Sequence, residues 1–207
     1  MLLAACGRGA PVEAVPDTPA VLEAPLAERV GSDLDALVAR VVATHDHGGR
    51  PFAVIDKRAA EIHVLDGNGA RLASAPVLLG FAVGDDSVPG IGSKAIADIA
   101  PHERTTPAGR FQGVPGRNAD RRPVVWIDYD QALSMHVVIT ETPSERRLQR
   151  LASADPAERR ISWGCVNLPA AFFADVVRPA FAHGGVVYIL PETRALETAF
   201  PTLFARP

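Results

Sequence analysis

The sequence is poor in cysteine, lysine and aromatic residues. Its 207 residues contain two cysteines, Cys6 and Cys165. Two thiols cannot build a disulfide framework, and the one bridge they allow would tie Cys165 to a residue close to the first position. Lysine occurs only at positions 57 and 94, although Lys and Arg together number 21. An Arg-dominated basic set reflects coding bias, or, where it clusters, carboxylate recognition by planar guanidinium groups. With 24 acidic residues the net charge is −3, which gives no case for a nucleic-acid partner. No run approaches the ~18 apolar residues of a membrane-spanning helix. Hydrophobic residues make up 47% of the chain. That content and length suit one globular core with room for a small appendage.

The composition changes along the chain. Residues 7–31 are rich in Pro, Ala, Gly and Glu, with prolines at 11, 16, 19 and 25, and read as an extended linker. Ser32-Asp33-Leu34-Asp35 reads as a capped helix start. Leu34, Leu37, Val38, Val41 and Val42 follow at helical spacing, and Gly48-Gly49 supplies a stop, so residues 32–49 are predicted to be an appended helix. From residue 50 to 192 the period becomes that of strands. Phe52–Asp56, Glu61–Leu65, Val124–Asp128, Leu133–Ile139 and Val186–Leu190 are short β segments, with a turn at Asp66-Gly67-Asn68-Gly69. Residues 143–154 read as a short polar helix and 169–183 as an amphipathic one. The predicted fold is therefore mainly β, sandwich- or barrel-like, with a few peripheral helices. Residues 193–207 are read as a C-terminal tail.

Cys165 is the residue with the most chemistry. It lies in Ile161-Ser162-Trp163-Gly164-Cys165-Val166-Asn167. A thiol becomes a strong nucleophile when a neighbour lowers its pKa, and an imidazole within hydrogen-bonding reach does so. His136, in Ser134-Met135-His136-Val137-Val138, is the candidate base. Gly164 lets the backbone come close, and the N–H groups of Gly164 and Cys165 are candidate oxyanion donors. The competing reading is an inert cysteine packed on a strand, beside a core histidine. On residue chemistry alone both stand.

His136 followed by Ser162-Trp163-Gly164-Cys165-Val166-Asn167 resembles the signature of the L,D-transpeptidase (YkuD) family, a His, a spacer and then Ser/Thr-His-Gly-Cys-apolar-Asn/Arg. Thr106-Pro107-Ala108-Gly109-Arg110-Phe111 resembles a second family motif, Thr-Pro-x-Gly-x-Phe. There Pro107 fixes φ, Gly109 frees the turn and Phe111 can enter the core. The similarity spans roughly residues 51–190. It implies an enzyme acting on peptidoglycan stem peptides in the periplasm or cell envelope, with no cofactor and no metal. Cys165 would be the nucleophile and His136 the acid–base. The carbonyl of Val137 would orient the imidazole, and Ser162 and Asn167 would orient substrate or brace the turn. The reaction implied is release of D-alanine from a tetrapeptide stem through a thioester, then transfer to the amine of another stem to give a 3–3 cross-link. Water in place of the amine makes an L,D-carboxypeptidase or an amidase. A cell-wall binding module that has lost turnover is the reading of another class.

Two features depart from the family pattern. Trp163 stands where many members have a second His. His136 and Ser162 are 26 positions apart, a spacer longer than is usual, which implies an insertion within 143–160. That stretch carries Arg146, Arg147, Arg150, Arg159 and Arg160. It reads either as a solvated helix paired with Glu145 and Glu158, or as a lid that grips a substrate carboxylate. Leu3-Ala4-Ala5-Cys6 resembles a bacterial lipobox, which would make residues 1–6 the remnant of a lipoprotein signal and Cys6 a lipid anchor. Five preceding residues are too few for a signal peptide, so the alternatives are a start further upstream or an accidental match. Of the other histidines, His45 and His47 read as helix-end residues, His102 as a loop residue, His63 as solvent-facing and His183 as a helix C-terminal cap. None has convincing zinc spacing.

Overall fold

The computed structural model describes residues 26–205. Cys6 and residues 7–25 of the expected linker lie outside the described residues. Helix α1 runs from Leu26 to Thr44. It thus begins six positions ahead of the expected start at Ser32, because Leu26-Ala27-Glu28-Arg29 are strong helix formers and carry the helix through the cap-like Ser32-Asp33 pair. It ends at Thr44, not 49, where the chain turns through His45, Gly48 and Gly49, all at positive φ.

Ten strands follow. They are β1 (Phe52–Asp56), β2 (Glu61–Leu65), β3 (Arg71–Pro76), β4 (Leu79–Gly80), β5 (Gly109–Arg117), β6 (Pro123–Asp128), β7 (Leu133–Val137), β8 (Arg160–Ser162), β9 (Val166–Leu168) and β10 (Gly185–Ile189). A short helix, α2 (Arg147–Leu151), interrupts them between β7 and β8. Eight strands form one sheet in the order β3-β2-β1-β10-β5-β6-β7-β9. Neighbours run antiparallel except β1 with β10 and β7 with β9. The two edges nearly meet. Leu78, just past β3, exchanges two 2.9 Å backbone hydrogen bonds with Asn167 of β9, which makes the sheet almost a barrel.

The central strands are apolar throughout because both faces of the sheet are covered. Ala53, Ile55, Val187 and Ile189 face one core, closed by Phe173 and Val177 of a helix over residues 170–180 and by Phe181 just after it. Phe52, Val54, Val186 and Tyr188 face the other, closed by Leu34, Leu37 and Val41 of α1. The first helix is therefore part of the domain core and not an appendage. The expected C-terminal tail is packed as well. It forms two short helices, Leu196–Ala199 and Pro201–Phe204, and buries Leu196, Phe200 and Leu203 in the same core as α1. His63 corrects another expectation. It pairs in register with Val54, on the face that α1 covers, and is buried rather than solvent-facing.

Among the described residues, no helix is long and apolar enough to cross a membrane.

Candidate active site

The parallel pairing of β7 with β9 sets His136 directly opposite Asn167. Cys165 lies one residue before β9, in the turn from β8, and carries a free thiol that is partly exposed. This turn can be built only with glycine at 164. Gly164 has φ +130°, a conformation side chains rarely adopt, and a Cβ there would meet the Thr105 carbonyl oxygen at 2.9 Å. The Thr106 hydroxyl donates to Gly164 O at 2.7 Å and accepts from Gly80 N at 2.8 Å. The first residue of the Thr-Pro segment thus clamps the cysteine turn from below. Phe111, at the other end of that segment, packs against the core as anticipated.

His136 donates from Nδ1 to the Val137 carbonyl oxygen at 2.8 Å. A carbonyl can only accept, so Nδ1 carries the proton and the neutral ring presents its Nε2 lone pair. The ring and the Cys165 thiol line the same cavity. Sγ also lies 3.4 Å from Ala132 O and 3.7 Å from Ser134 Oγ. Burial pushes the thiol pKa up, but the adjacent imidazole and Ser134 outweigh it and hold the thiol below its usual range. Burial pushes His136 down, and the bond with Cys165 outweighs it, leaving the imidazole above its usual value. Both shifts favour a thiolate–imidazolium pair.

The remaining expected site residues fall into two groups. Asn167 reaches the pair, with Nδ2 at 3.2 Å from Cys165 O and 3.4 Å from His136 Nε2. Ser162 lines the cavity of Cys165, but its hydroxyl is committed to the turn. Its hydroxyl donates to Cys165 O at 2.7 Å and accepts from Gly164 N at 3.1 Å, so it braces the turn. That second bond corrects the oxyanion assignment, because the Gly164 N–H is already committed to the hydroxyl. The Cys165 N–H meets no acceptor among the described residues and is the donor left for an oxyanion.

Two cavities, of about 260 and 280 Å³, share His136 and Ile139 as their common wall. The first holds Cys165, with Trp163, Ile96, Glu141 and Glu145 among its lining residues. The second is largely apolar, with Arg122 and Arg178 among its lining residues. Trp163 is a wall in the place of a second imidazole. Its ring lies between two guanidinium groups, with Arg104 Cζ 4.9 Å and Arg147 Cζ 5.7 Å from the ring centroid.

The Arg-rich stretch is only partly the solvated helix expected: Arg146 is exposed and Glu145 pairs with Arg147, but other guanidinium groups are built into the fold. Arg147 and Arg159 are buried. Arg159 donates to Ser153 O and Ala60 O, and Arg150 to Glu158 O and Glu145 O. Arg160 pairs with Glu192 and donates to Lys57 O. Arg159 and Arg160 fasten the long spacer to the turn between β1 and β2, and Arg150 ties the spacer to itself.

Sequence reasoning missed a second buried cluster. Lys57 is fully buried, and its Nζ donates to Asp85 Oδ1 at 2.7 Å and to Thr106 O at 3.0 Å, with Glu192 at 3.4 Å. Asp85 also accepts from the backbone N–H groups of Glu192, Thr193 and Arg194. Burial would raise its pKa, but the Lys57 ammonium and the Thr193 and Glu192 donors hold it far below the usual carboxylate range. The single sequence hint was a lysine among nineteen arginines, placed at the end of an apolar strand. His47 is buried too, with its ring nitrogens on Val41 O and Gly67 O. Among the described residues, no three His, Cys, Asp or Glu side chains are arranged to hold a metal ion.

Comparison with known proteins gives distant structural likenesses. No protein-family profile matches the chain, and no curated protein matches it. Similar solved structures include an L,D-transpeptidase from Mycobacterium smegmatis, at 15% identity and a TM-score of 0.39 over 68% of this chain and 58% of that one. Another is the catalytic domain of the E. faecium L,D-transpeptidase, at 16% identity and a TM-score of 0.40 over 69% and 98%. A third is the helical cell shape determining protein Pgp2 from Campylobacter jejuni, at 12% identity and a TM-score of 0.46 over 84% and 61%. The chain thus spans about three fifths of the length of the first and the third. At this distance the geometry of the site, and not the likeness, bears on function.

Proposed function

We propose that this protein is a cysteine acyltransferase of the L,D-transpeptidase type, acting on peptidoglycan stem peptides. The observation that carries the reading is Cys165 and His136 lining one cavity, with the imidazole fixed through Nδ1 on Val137 O so that Nε2 is the basic nitrogen. Cys165 Sγ attacks the carbonyl of the diaminopimelate residue that precedes the terminal D-alanine. The developing oxyanion lies near the Cys165 N–H. His136, carrying the proton from the thiol, gives it to the departing D-alanine amine. The thioester is then attacked by the side-chain amine of a second stem, whose proton His136 accepts, and the thiolate leaves. The carbonyl carbon ends bonded to nitrogen in a 3–3 cross-link, with no oxidant, reductant or cofactor consumed.

Such a substrate places the domain in the cell envelope, where lipidation of Cys6 would tether it. Loss of the protein from the membrane fraction in a Cys6→Ala variant of the full-length reading frame tests the tether. The chemistry is tested by intact mass after exposure to a carbapenem and by muropeptide analysis of treated sacculi. A whole-carbapenem adduct on Cys165 and new 3–3 dimers are the expected results. Tripeptides alone would mean hydrolysis in place of transfer. No adduct, or full turnover by Cys165→Ser, would overturn the enzyme reading.

A further inference from the structure

Arg147 lies in the long spacer between His136 and the cysteine turn, yet its side chain is only 7% exposed. Its Nη1 donates to Asn167 Oδ1 at 2.8 Å and its Nε to Glu145 Oε2 at 2.6 Å, while its plane lies over Trp163. A guanidinium carries only donors, so the carboxamide atom that it meets must be the oxygen. Independently, the other carboxamide atom faces the Cys165 carbonyl, which can only accept, so that atom must be the nitrogen. Two separate contacts therefore select one orientation of Asn167, and this orientation points Nδ2 at His136 Nε2, 3.4 Å away.

We propose that Arg147 is a positioning residue of the Cys165–His136 pair, which by holding the Asn167 oxygen keeps the carboxamide N–H turned toward the imidazole. The proposal rests on reading Cys165 and His136 as the reacting pair. It assigns the enlarged spacer the task of bracing that pair, where a lid over substrate was the alternative.

The consequence is electrostatic. An amide N–H suits the lone pair of a neutral Nε2 and opposes a proton there. The Arg147 charge acts in the same direction on His136 and favours the Cys165 thiolate. The arrangement restrains a ring whose basicity the thiolate raises, so that the ring can still release the proton it takes. Other charged groups near the ring are Glu141 and Glu145 in the cysteine cavity and Arg122 and Arg178 in the neighbouring one. Glu145 is paired with Arg147 and Glu141 with Arg122; of these charged groups, Arg147 is the one hydrogen-bonded to a side chain that meets the ring.

The test uses the full chain and reads the pair without any cell-wall substrate. The rate of Cys165 alkylation by iodoacetamide, followed on the Cys165 peptide, is measured against pH. Both limbs of the profile belong to the coupled pair. In Arg147→Met the profile should move up by about half a pH unit or more. Arg147→Lys, which keeps a charged donor for Oδ1, should restore most of the position. In an Asn167→Ala background, Arg147→Met should add less than it does alone. If Arg147→Met does not fold, Asn167→Asp sets an oxygen against Nε2 whatever Arg147 does, and should raise the upper limb. An unmoved profile in Arg147→Met or Asn167→Asp, or a fully additive double variant, overturns the proposal. Absence of acyl transfer alongside a shifted alkylation profile would count against the proposed function and leave this inference standing.

Discussion

The Thr106 hydroxyl and the Gly164 carbonyl, 58 positions apart in sequence, are joined by a 2.7 Å hydrogen bond beneath the cysteine turn. Thr106 also accepts from Gly80 N, so one side chain ties three stretches of chain together. Removing the hydroxyl leaves a buried donor and a buried acceptor unmet, each costing about 1–3 kcal/mol. Thr106→Val should therefore lower stability by a few kcal/mol and slow acylation of Cys165. Thr106→Ser, which keeps the oxygen, should recover most of both. Chemical denaturation and a carbapenem acylation time course check the pair of outcomes, and equal behaviour of Val and Ser would remove Thr106 from this role.

Gly164→Ala puts a methyl group at 2.9 Å from Thr105 O on a backbone held at φ +130°. Strain of about 1–3 kcal/mol in the folded state is the expected cost. Because the strained residue adjoins Cys165, acylation should fall by about tenfold or more even where the protein remains folded. A variant that acylates at the parental rate would show that the turn has another accessible geometry.

Asp85 predicts an acid limit to stability. The fold favours its ionised form, so its pKa is depressed relative to the unfolded chain. The contribution is complete above the unfolded value, near pH 4, and is lost as pH falls toward the depressed value. The melting temperature should be level between about pH 7 and pH 5 and fall below about pH 4. Asp85→Asn leaves the Lys57 ammonium buried beside Glu192 alone, and should cost about 3–5 kcal/mol at neutral pH. Its acid slope should be shallower. Melting curves across this range decide, and an unchanged slope in the variant would assign acid sensitivity to another group.

Leu37 tests whether α1 belongs to the domain. It is fully buried between the helix and the sheet. Leu37→Ala should cost about 2–5 kcal/mol, as in a core. The pH profile of Cys165 alkylation in the folded protein should not change, since α1 packs against the sheet face opposite the 170–180 helix. A loss below about 1 kcal/mol would return α1 to the status of an appendage.

The catalytic candidates were legible because their residue types are scarce. One cysteine outside the first few positions, and a strand histidine ahead of it in the family's order, leave few pairings. Short apolar runs placed β1, β2, β6, β7 and β10 but not β5, β8 or β9, and helical spacing placed the stripe of Leu34, Leu37 and Val41. What the stripe docks against was not legible, since β1 buries both its faces and the pattern gives no sign of which helix covers which. His63 was misjudged for the same reason. The bond between Arg147 and Asn167 could not be read either. It depends on how a 20-residue loop folds back, and a run of arginines gives the same pattern whether its groups meet water, substrate or carbonyls. Of the two roles offered for Ser162, orienting substrate or bracing the turn, the choice depended on a hydroxyl rotation that only the finished turn determines.

Strand β10 lies in the middle of the sheet, between β1 and β5, although it is the last strand of the chain. During synthesis Cys165 therefore emerges well before the strand that joins the two halves of its scaffold. A polypeptide stalled ahead of Gly185 contains both the thiol and the imidazole, but not the seam that holds their strands to the first hairpin. Reactivity of the thiol should then arrive late, as the final strand docks.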